Sequence, residues 1–198
     1  MQRIAIIEPP AGVEGISSTA VRERLFDPDA VASMLHPAVL PLVRELRQAD
    51  FPEETIAFKE EYAFLANNYP APVVCEGIDY PSAEAAFQAS RVDDIATRKQ
   101  FALFSPEKVR QKGNMLTPPP GWEDKKDDIM REIVRLKFLQ NPELRERLLA
   151  TGSRCLIDGG KGKKDTYWGV NTITWEGENR LGEILMELRE RIKKEMLE

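Results

Sequence analysis

The sequence predicts an α+β fold, a helix-rich single domain with a small sheet, preceded by a mostly helical N-terminal extension. Its size and composition are the first observation, because 198 residues with 42% hydrophobic and 31% charged residues suit one globular domain with an extension. The second observation is a group of short strand-like segments between residues 55 and 80. The third is the helical spacing of apolar residues from residue 82 to the end of the chain.

The first fifty residues differ in their sequence pattern from the rest and form a separate predicted unit. The hydroxyls of Ser17-Ser18-Thr19 are typical of a helix N-cap, and short helices follow them. Aspartate, proline and a pair of glutamates interrupt the pattern at Ala49–Glu54. We therefore expect an extension over residues 1–50 and a main domain over residues 55–198.

Short strands are expected at the start of the main domain and once again near its end. Three runs rich in β-branched or aromatic residues predict strands: Thr55–Phe58, Tyr62–Leu65 and Val73–Cys75. A turn at Glu76-Gly77 leads into a fourth run, Ile78–Tyr80, so that the last two strands form a predicted hairpin. A further strand is expected at Cys155–Ile157.

Helices are expected to fill the remainder of the main domain. Three of them begin at capping or proline signals: Ser82, Ser105-Pro106 and Asn141-Pro142. The first of these should run to about Val92. The longest helix is expected over Trp122–Leu139, with its apolar stripe at Ile129, Ile133, Leu136 and Leu139. The last helix should begin near Asn179.

Charge, histidine and cysteine content exclude several classes of function. The net charge of −5 argues against sequence-independent binding to a phosphate backbone. The single histidine, His36, excludes zinc sites built from several histidines. Cys75 and Cys155 lack CxxC spacing and indicate reduced thiols in a cytoplasmic protein. No stretch approaches a membrane span, and we expect no membrane partner, no metal and no cofactor.

Glu84 is the first candidate for chemistry. It lies in the first turn of the helix that Ser82 opens, where backbone amides favour a negative charge. The small alanines around it are expected to leave room for a flat ligand. The same position also suits a glutamate that serves only the helix dipole.

Three further segments offer groups that can bind a base, a ribose or a phosphate. The amides and phenol of Asn67-Asn68-Tyr69 can bind the edge of a base or can satisfy a turn. Asp165 and Trp168 combine a carboxylate with a ring that can stack on a base or pack in the core. Asn179-Arg180 places an amide and a guanidinium at a helix N-terminus, where they suit either a phosphate or a helix cap.

In this order the four segments resemble the NADAR family, which is named for its link to NAD and ADP-ribose chemistry. The best-described activity of that family is hydrolysis of N-glycosidic bonds in early riboflavin-biosynthesis intermediates. The resemblance covers Phe58 to about Glu190 and consists of Leu65–Pro70, Tyr80–Ala89, Trp122 with Met130–Phe138, Leu148–Thr151, Asp165–Gly169 and Asn179–Leu188. One departure is Ala85, because family members usually carry a histidine directly after the glutamate.

The resemblance implies a metal-free N-glycosidase that acts on a small ribosyl or ADP-ribosyl substrate. Glu84 corresponds to the essential glutamate of the family, and Asp165 is the second residue expected to be catalytic. The residues expected to bind substrate are Asn67, Asn68, Tyr69, Gln88, Trp122, Trp168, Asn179 and Arg180. Two alternatives stay open: an ADP-ribosyl hydrolase that acts on modified nucleobases, including those of nucleic acid, and a non-catalytic module that binds ADP-ribose or NAD.

The N-terminal segment resembles a different family. Ile16–Arg22, with the pattern ISSTxxR, is similar to the C-terminal end of nicotinate-nucleotide adenylyltransferases, where that segment binds nucleotide phosphate. By this resemblance Ser17, Ser18, Thr19 and Arg22 form a candidate anion site. The HxGH motif of that family is absent. We therefore expect the extension to fold against the main domain without adenylyltransferase activity.

Overall fold

The helix-rich α+β class is confirmed by a computed structural model, which describes residues 55–160 and 165–196. Within these residues there are six α-helices, one 3₁₀ helix and six strands of two or three residues. The predictions for residues 1–50 lie outside the described residues. None of the described helices is both long enough and apolar enough to cross a membrane.

The strands of the described residues pair in three ladders of two strands each. β1 (Ile56–Ala57) runs parallel to β4 (Leu156–Ile157), although 100 residues separate Ile56 from its partner Leu156. β2 (Val73–Cys75) and β3 (Ile78–Tyr80) are antiparallel. β5 (Gly159–Gly160) runs parallel to β6 (Val170–Asn171), a pairing that the sequence pattern did not predict.

The predicted hairpin is confirmed, and its turn explains its register. Glu76 and Gly77 have φ angles of 50° and 74°, the left-handed conformation that a type I′ hairpin turn requires at both central positions. This turn aligns Cys75 with Ile78 and Val73 with Tyr80. Val73 and Tyr80 are both buried, so one face of the hairpin belongs to the core.

The strand predicted at Tyr62–Leu65 is wrong, because Glu60–Leu65 forms a 3₁₀ helix. Phe64 and Leu65 are adjacent in sequence, and both are 1% exposed. A strand with one solvent-facing side would place neighbouring side chains on opposite faces, whereas a helical turn can bury both. Two glutamates in its first turn suit the N-terminal end of a helix.

The helices predicted after Ser82, Ser105-Pro106 and Asn141-Pro142 begin at those signals, although the first one is shorter than expected, and the helix at Ile95–Phe101 was not predicted. The six are α1 (Ala83–Ala89), α2 (Ile95–Phe101), α3 (Pro106–Asn114), α4 (Trp122–Gln140), α5 (Pro142–Ala150) and α6 (Arg180–Glu195). The Ser82 hydroxyl accepts the Ala85 amide hydrogen at 3.3 Å, which caps α1. The helix ends at Ala89 rather than near Val92, and the Ser90 hydroxyl donates to the Phe87 carbonyl at 2.7 Å.

Helix α4 is central to the packing, since it contacts α1, α5, α6 and β2. The apolar stripe predicted for it is only partly correct. Ile133 is buried, but Leu139 is 38% exposed. The buried residues of α4 are Trp122, Met130, Ile133, Val134, Lys137 and Phe138. Because neighbours pack on several sides of α4, its buried surface is wider than one stripe and includes a lysine.

The buried residue Lys137 forms hydrogen bonds to the backbone of the segment that leads to the candidate site. Its side chain is fully buried, and its Nζ donates to the carbonyls of Phe64 at 2.7 Å and Ala66 at 2.8 Å. No carboxylate among the described residues forms an ion pair with it. Burial lowers the pKa of Lys137 to about 7. A neutral amine still has two N–H groups, which match the two carbonyls.

We expect Lys137→Met to lower the free energy of unfolding by about 1–3 kcal/mol at pH 7, because two buried carbonyls lose their donor. The loss should grow as the pH rises. The pKa of Lys137 is about 7 in the folded state against an ordinary value of 10.5, so the unfolded chain binds more protons between these values. The stability of the native protein should therefore increase over that interval relative to the variant.

Urea unfolding of both proteins at several pH values between 7 and 10 measures this difference. Lys108→Met, at an exposed position of α3, is the control. Its free energy of unfolding should differ from that of the native protein by the same amount at every pH. A difference for Lys137→Met that does not change with pH would contradict the burial of a neutral amine.

Candidate active site

Helix α1 and the turn after it present one face made by Glu84, Phe87, Gln88 and Arg91, which follow helical spacing. The Glu84 amide donates to the carbonyl of Asn67 at 2.8 Å, so the first turn of α1 is fixed to the preceding loop. The alanines of α1 are buried against other helices, with exposed fractions of 0–3%. The expectation that these small alanines leave room for a flat ligand stays a prediction.

One oxygen of the Glu84 carboxylate is held by neighbouring side chains. Gln88 donates from Nε2 to Glu84 Oε1 at 3.0 Å, and Arg110 Nε lies 3.7 Å from the same oxygen. The Glu84 side chain is 13% exposed, whereas that of Arg110 is 67% exposed. Oε2 makes no hydrogen bond to the residues that the structure describes. The carboxylate is thus positioned through one oxygen, and the other is available to a ligand.

An aromatic cluster stands beside Glu84 on the same face of α1. The Phe87 ring centroid lies 5.4 Å from that of Trp122 and 5.4 Å from that of Trp168. Trp122 is 6% exposed, its indole N–H donates to Ser90 Oγ at 3.2 Å, and the Arg91 guanidinium lies 5.1 Å from its ring. Trp168 is only half-buried. Of the two tryptophans predicted to bind substrate, Trp168 therefore has the more open ring.

Asp165 is exposed and joins this cluster through the backbone of Trp168. Its Oδ1 accepts the Trp168 amide hydrogen at 3.1 Å and so stabilises the turn that carries the tryptophan. Asp165 is linked to the Glu84 helix only indirectly: it binds the Trp168 amide, and the Trp168 ring contacts Phe87. A direct contact between the two carboxylates is absent from the described residues.

The three residues of the segment Asn67-Asn68-Tyr69 have different surroundings. Asn67 is 8% exposed, its Nδ2 donates to Met130 Sδ at 3.2 Å, and its Oδ1 has no partner among the described residues. Asn68 is exposed, and Tyr69 packs against the core. Asn67 is therefore the member of this segment that offers an unused buried acceptor next to Glu84.

The side chains of Asn179 and Arg180 bind protein groups. Asn179 Oδ1 accepts from the Asp158 amide at 3.1 Å, and its Nδ2 donates to the Leu156 carbonyl at 2.9 Å. These bonds connect α6 to β4. Arg180 donates from Nε and Nη2 to Asp127 Oδ2 at 2.9 and 2.6 Å, and its Nη1 pairs with Glu183. This arrangement gives the predicted phosphate contact of the two residues no support.

The ion pair of Arg180 extends to Tyr167, which precedes Trp168. The Tyr167 hydroxyl donates to Asp127 Oδ1 at 2.6 Å. Burial opposes ionisation of Asp127, but the hydrogen bonds from Tyr167 and Arg180 outweigh it and hold its pKa below the ordinary value. The hydrogen bond to Asp127 raises the pKa of Tyr167. The network therefore keeps its charges near neutral pH and anchors the segment that carries Trp168.

Three residues of this neighbourhood were missed at the sequence level: Arg91, Arg110 and Asp127. Arg91 could have been found, because it lies seven residues after Glu84 and hence on the same helical face. Arg110 and Asp127 carry no local signal, since helices α3 and α4 bring them to the site from distant parts of the sequence.

The described residues contain no group of three or more metal-ligating side chains. Cys75 and Cys155 are free, half-buried thiols. Burial raises the pKa of each thiol. The candidate anion site of Ser17, Ser18, Thr19 and Arg22 lies outside the described residues.

Comparison with known proteins shows which family and which proteins this chain is similar to. The family described as "NADAR domain" matches residues 50–193. The riboflavin biosynthesis protein VVA0006 of Vibrio vulnificus is 37% identical over 139 residues, which are 68% of this chain and 36% of that protein. The N-glycosidase YbiA of Escherichia coli is 35% identical over 136 residues, which are 67% of this chain and 83% of that protein. This chain therefore spans about a third of the first relative and most of the second.

A solved structure supports the same relationship at the level of the fold. The NMR structure of the Escherichia coli protein YbiA superposes with a TM-score of 0.66 at 34% sequence identity. The superposition covers 73% of this chain and 88% of that one.

The contact between α3 and Gln88 generates a stability prediction. A Cβ at Gly113 would lie 1.9 Å from Gln88 Oε1 and 2.9 Å from Gln88 Cβ. Alanine in place of glycine within a helix usually stabilises by about 0.5–1 kcal/mol. We expect Gly113→Ala to destabilise by about 1–3 kcal/mol instead, because the Gln88 amide must leave its position beside Glu84.

Urea unfolding of Gly113→Ala, Gln88→Ala and the double variant measures this effect. Removal of the Gln88 amide relieves the closest clash, so the double variant should lose less than the sum of the two single losses. Additive losses would show that Gln88 does not occupy this position.

Proposed function

This chain belongs to the NADAR domain family and is an N-glycosyl hydrolase, and from this premise we propose its substrate class and mechanism. The proposed reaction is hydrolysis of the N-glycosidic bond of a ribosylamine-type substrate, such as an early riboflavin-biosynthesis intermediate. The proposed reaction uses no metal ion. The name of the Vibrio vulnificus relative supports the link to riboflavin biosynthesis.

The observation that carries the mechanism is the state of the Glu84 carboxylate. It is 13% exposed, Gln88 holds one of its oxygens, and its second oxygen has no hydrogen bond within the described residues. Cleavage of a glycosidic bond develops positive charge on the sugar ring. A positioned carboxylate at that ring stabilises the charge or takes the proton of the attacking water. We assign this role to Glu84.

The remaining groups have proposed roles that follow their exposure. Trp168 is half-buried and would stack on the leaving base, while buried Trp122 would support the cluster from behind through Phe87. The unpartnered Oδ1 of Asn67 would accept a hydrogen bond from the base. Asp165 would bind a ribose hydroxyl or act as the second acid.

For a substrate phosphate we propose Arg91 and Arg110 in place of Asn179 and Arg180. Arg110 is 67% exposed and lies 3.7 Å from Glu84, and the buried Nε of Arg91 has no partner among the described residues. The guanidinium of Arg180 is already paired with Asp127 and Glu183. A guanidinium with unused donors is the better phosphate ligand.

Sugar release from a panel of compounds tests the proposed substrate class. The panel contains ribosylamino-pyrimidines, NAD, ADP-ribose and ADP-ribosylated guanine, and mass spectrometry detects the released sugar. We expect release from the ribosylamino-pyrimidines. Release from ADP-ribosylated guanine alone would replace the proposed substrate with an ADP-ribosyl nucleobase. Binding without any turnover would instead favour a non-catalytic module.

We expect Glu84→Gln to reduce turnover on the order of a hundredfold or more, because the carboxylate charge that stabilises the transition state is lost. Stability should change by no more than about 1 kcal/mol, since the two side chains have nearly the same shape. Glu143→Gln, at an exposed first-turn position of α5, is the matched control and should keep full activity. Near-native turnover of Glu84→Gln would remove Glu84 from the mechanism.

We also expect turnover to be insensitive to EDTA. The whole chain has one histidine and two cysteines far apart in sequence, and the proposed chemistry uses carboxylates alone. Initial rates before and after EDTA treatment, followed by addition of Mg²⁺, Mn²⁺ or Zn²⁺, measure the effect. A loss that a divalent cation restores would mean that the carboxylates bind a metal.

A further inference from the structure

The two tryptophans of the candidate active site both contact Phe87, but different parts of the chain hold them. The ring centroids of Trp122 and Trp168 each lie 5.4 Å from that of Phe87. Trp122 is the first residue of α4, and its indole donates to Ser90 at the end of α1. Trp168 lies in a turn before β6, so the contacts of that turn must determine where its ring stands.

The N-terminus of α6 holds the backbone of this turn. The Arg180 amide donates to the Tyr167 carbonyl at 3.1 Å, and the Leu181 amide donates to the Trp168 carbonyl at 3.1 Å. Asp165 accepts the Trp168 amide hydrogen at 3.1 Å. These bonds fix the main chain around Trp168 and leave the placement of the aromatic rings to side-chain contacts.

Helix α4 holds the ring of Tyr167, the residue before Trp168. The Tyr167 hydroxyl donates to Asp127 at 2.6 Å, and Lys126 Nζ lies 3.8 Å from the centre of the Tyr167 ring. The Tyr167 and Trp168 rings meet edge to face, with centroids 5.0 Å apart and planes at 87°. The position of the Tyr167 ring therefore limits where the Trp168 ring can lie.

The Asp127 carboxylate joins α4, α6 and this turn, because both of its oxygens accept hydrogen bonds. Oδ1 accepts from Tyr167, while Oδ2 accepts from Nε and Nη2 of Arg180 at 2.9 and 2.6 Å. The side chains of Asp127 and Arg180 are 20% and 24% exposed, so solvent screens this pair less than an ion pair on the open surface. Asp127 is therefore the residue on which the side-chain contacts of the turn converge.

We propose that Asp127 is a positioning residue for the N-glycosidase reaction, which holds the Trp168 ring in place through Tyr167 and so sets the affinity for the leaving base. This role rests on the proposed function, in which Trp168 stacks on that base. A stacked ring contacts the base before and during bond cleavage. Its displacement should therefore weaken substrate binding and leave the chemical step unchanged.

Steady-state kinetics of Asp127→Ala and Tyr167→Phe test the proposal, with a compound of the panel that releases sugar. We expect each variant to raise KM by about threefold to tenfold and to keep kcat within about twofold of the native value. Asp124→Ala removes an exposed acid from the first turn of the same helix. It is the matched control and should change neither constant.

A double-mutant cycle separates an effect through Trp168 from a general structural effect. If Asp127 acts through Trp168, Asp127→Ala should raise KM in the native background and have little further effect on KM in Trp168→Ala. An equal rise of KM in both backgrounds would overturn the proposal, because Asp127 would then act by another route.

Fluorine NMR of the full chain reports the surroundings of Trp168 without any substrate. The chain has three tryptophans, so the protein labelled with 5-fluorotryptophan should give three resonances, and Trp168→Phe identifies the one that belongs to Trp168. We expect Asp127→Ala and Tyr167→Phe to shift or broaden this resonance, and Asp124→Ala to leave it unchanged. Circular dichroism verifies that each variant is folded. An unchanged Trp168 resonance in both test variants would overturn the proposal.

Two kinetic results would overturn the proposal and leave the role of Glu84 intact. The first is an unchanged KM in Trp168→Ala, because Trp168 would then not bind the base. The second is a lower kcat with an unchanged KM in Asp127→Ala, because the carboxylate would then act on the chemical step. Glu84→Gln and the panel test the proposed reaction separately. If no compound of the panel releases sugar, the fluorine resonance alone decides whether Asp127 positions Trp168.

Discussion

The hydrogen bonds of the buried Lys137 amine to the carbonyls of Phe64 and Ala66 determine where the candidate site can form. The next residue, Asn67, accepts the amide hydrogen of Glu84 through its own carbonyl. Helix α4 therefore positions the first turn of α1 twice, once through Lys137 and once by direct packing on α1. Burial of an amine without an acid partner costs free energy. The two carbonyls offset that cost because they accept its hydrogen bonds.

Helix α1 separates two environments because its faces differ in chemistry. Glu84 and Gln88 lie beside Arg110, and Phe87 belongs to the aromatic cluster, whereas Ala86 lines a cavity between α1, α2, α4 and the β2–β3 hairpin. The four alanines of α1 allow α2, α3 and α4 to approach closely. A short helix of seven residues is held in this way by its neighbours rather than by its own stability.

The cations of the site differ in whether they are already paired. Arg180 forms an ion pair with Asp127, and Asp127 also accepts a hydrogen bond from the Tyr167 hydroxyl. This network supports the turn that carries Trp168. Arg110 is largely exposed next to Glu84. The paired arginine stabilises the scaffold, while the exposed arginine can respond to a ligand. This difference in pairing is why we propose a structural role for Arg180 and a ligand-binding role for Arg110.

The sequence by itself determined the features that depend on neighbouring residues. The serine cap of α1, the prolines that open α3 and α5, and the Glu76-Gly77 turn all act within a few residues, so local patterns predict them. The four segments that resemble the NADAR family are likewise visible in the sequence. Only the tertiary structure decided that Glu60–Leu65 is a 3₁₀ helix and that a lysine lies in the core. It also decided that Asn179 and Arg180 bind protein groups. Lys137, Asn179 and Arg180 bind Phe64, Leu156 and Asp127, which lie 23 to 73 residues away in sequence, where no local pattern extends.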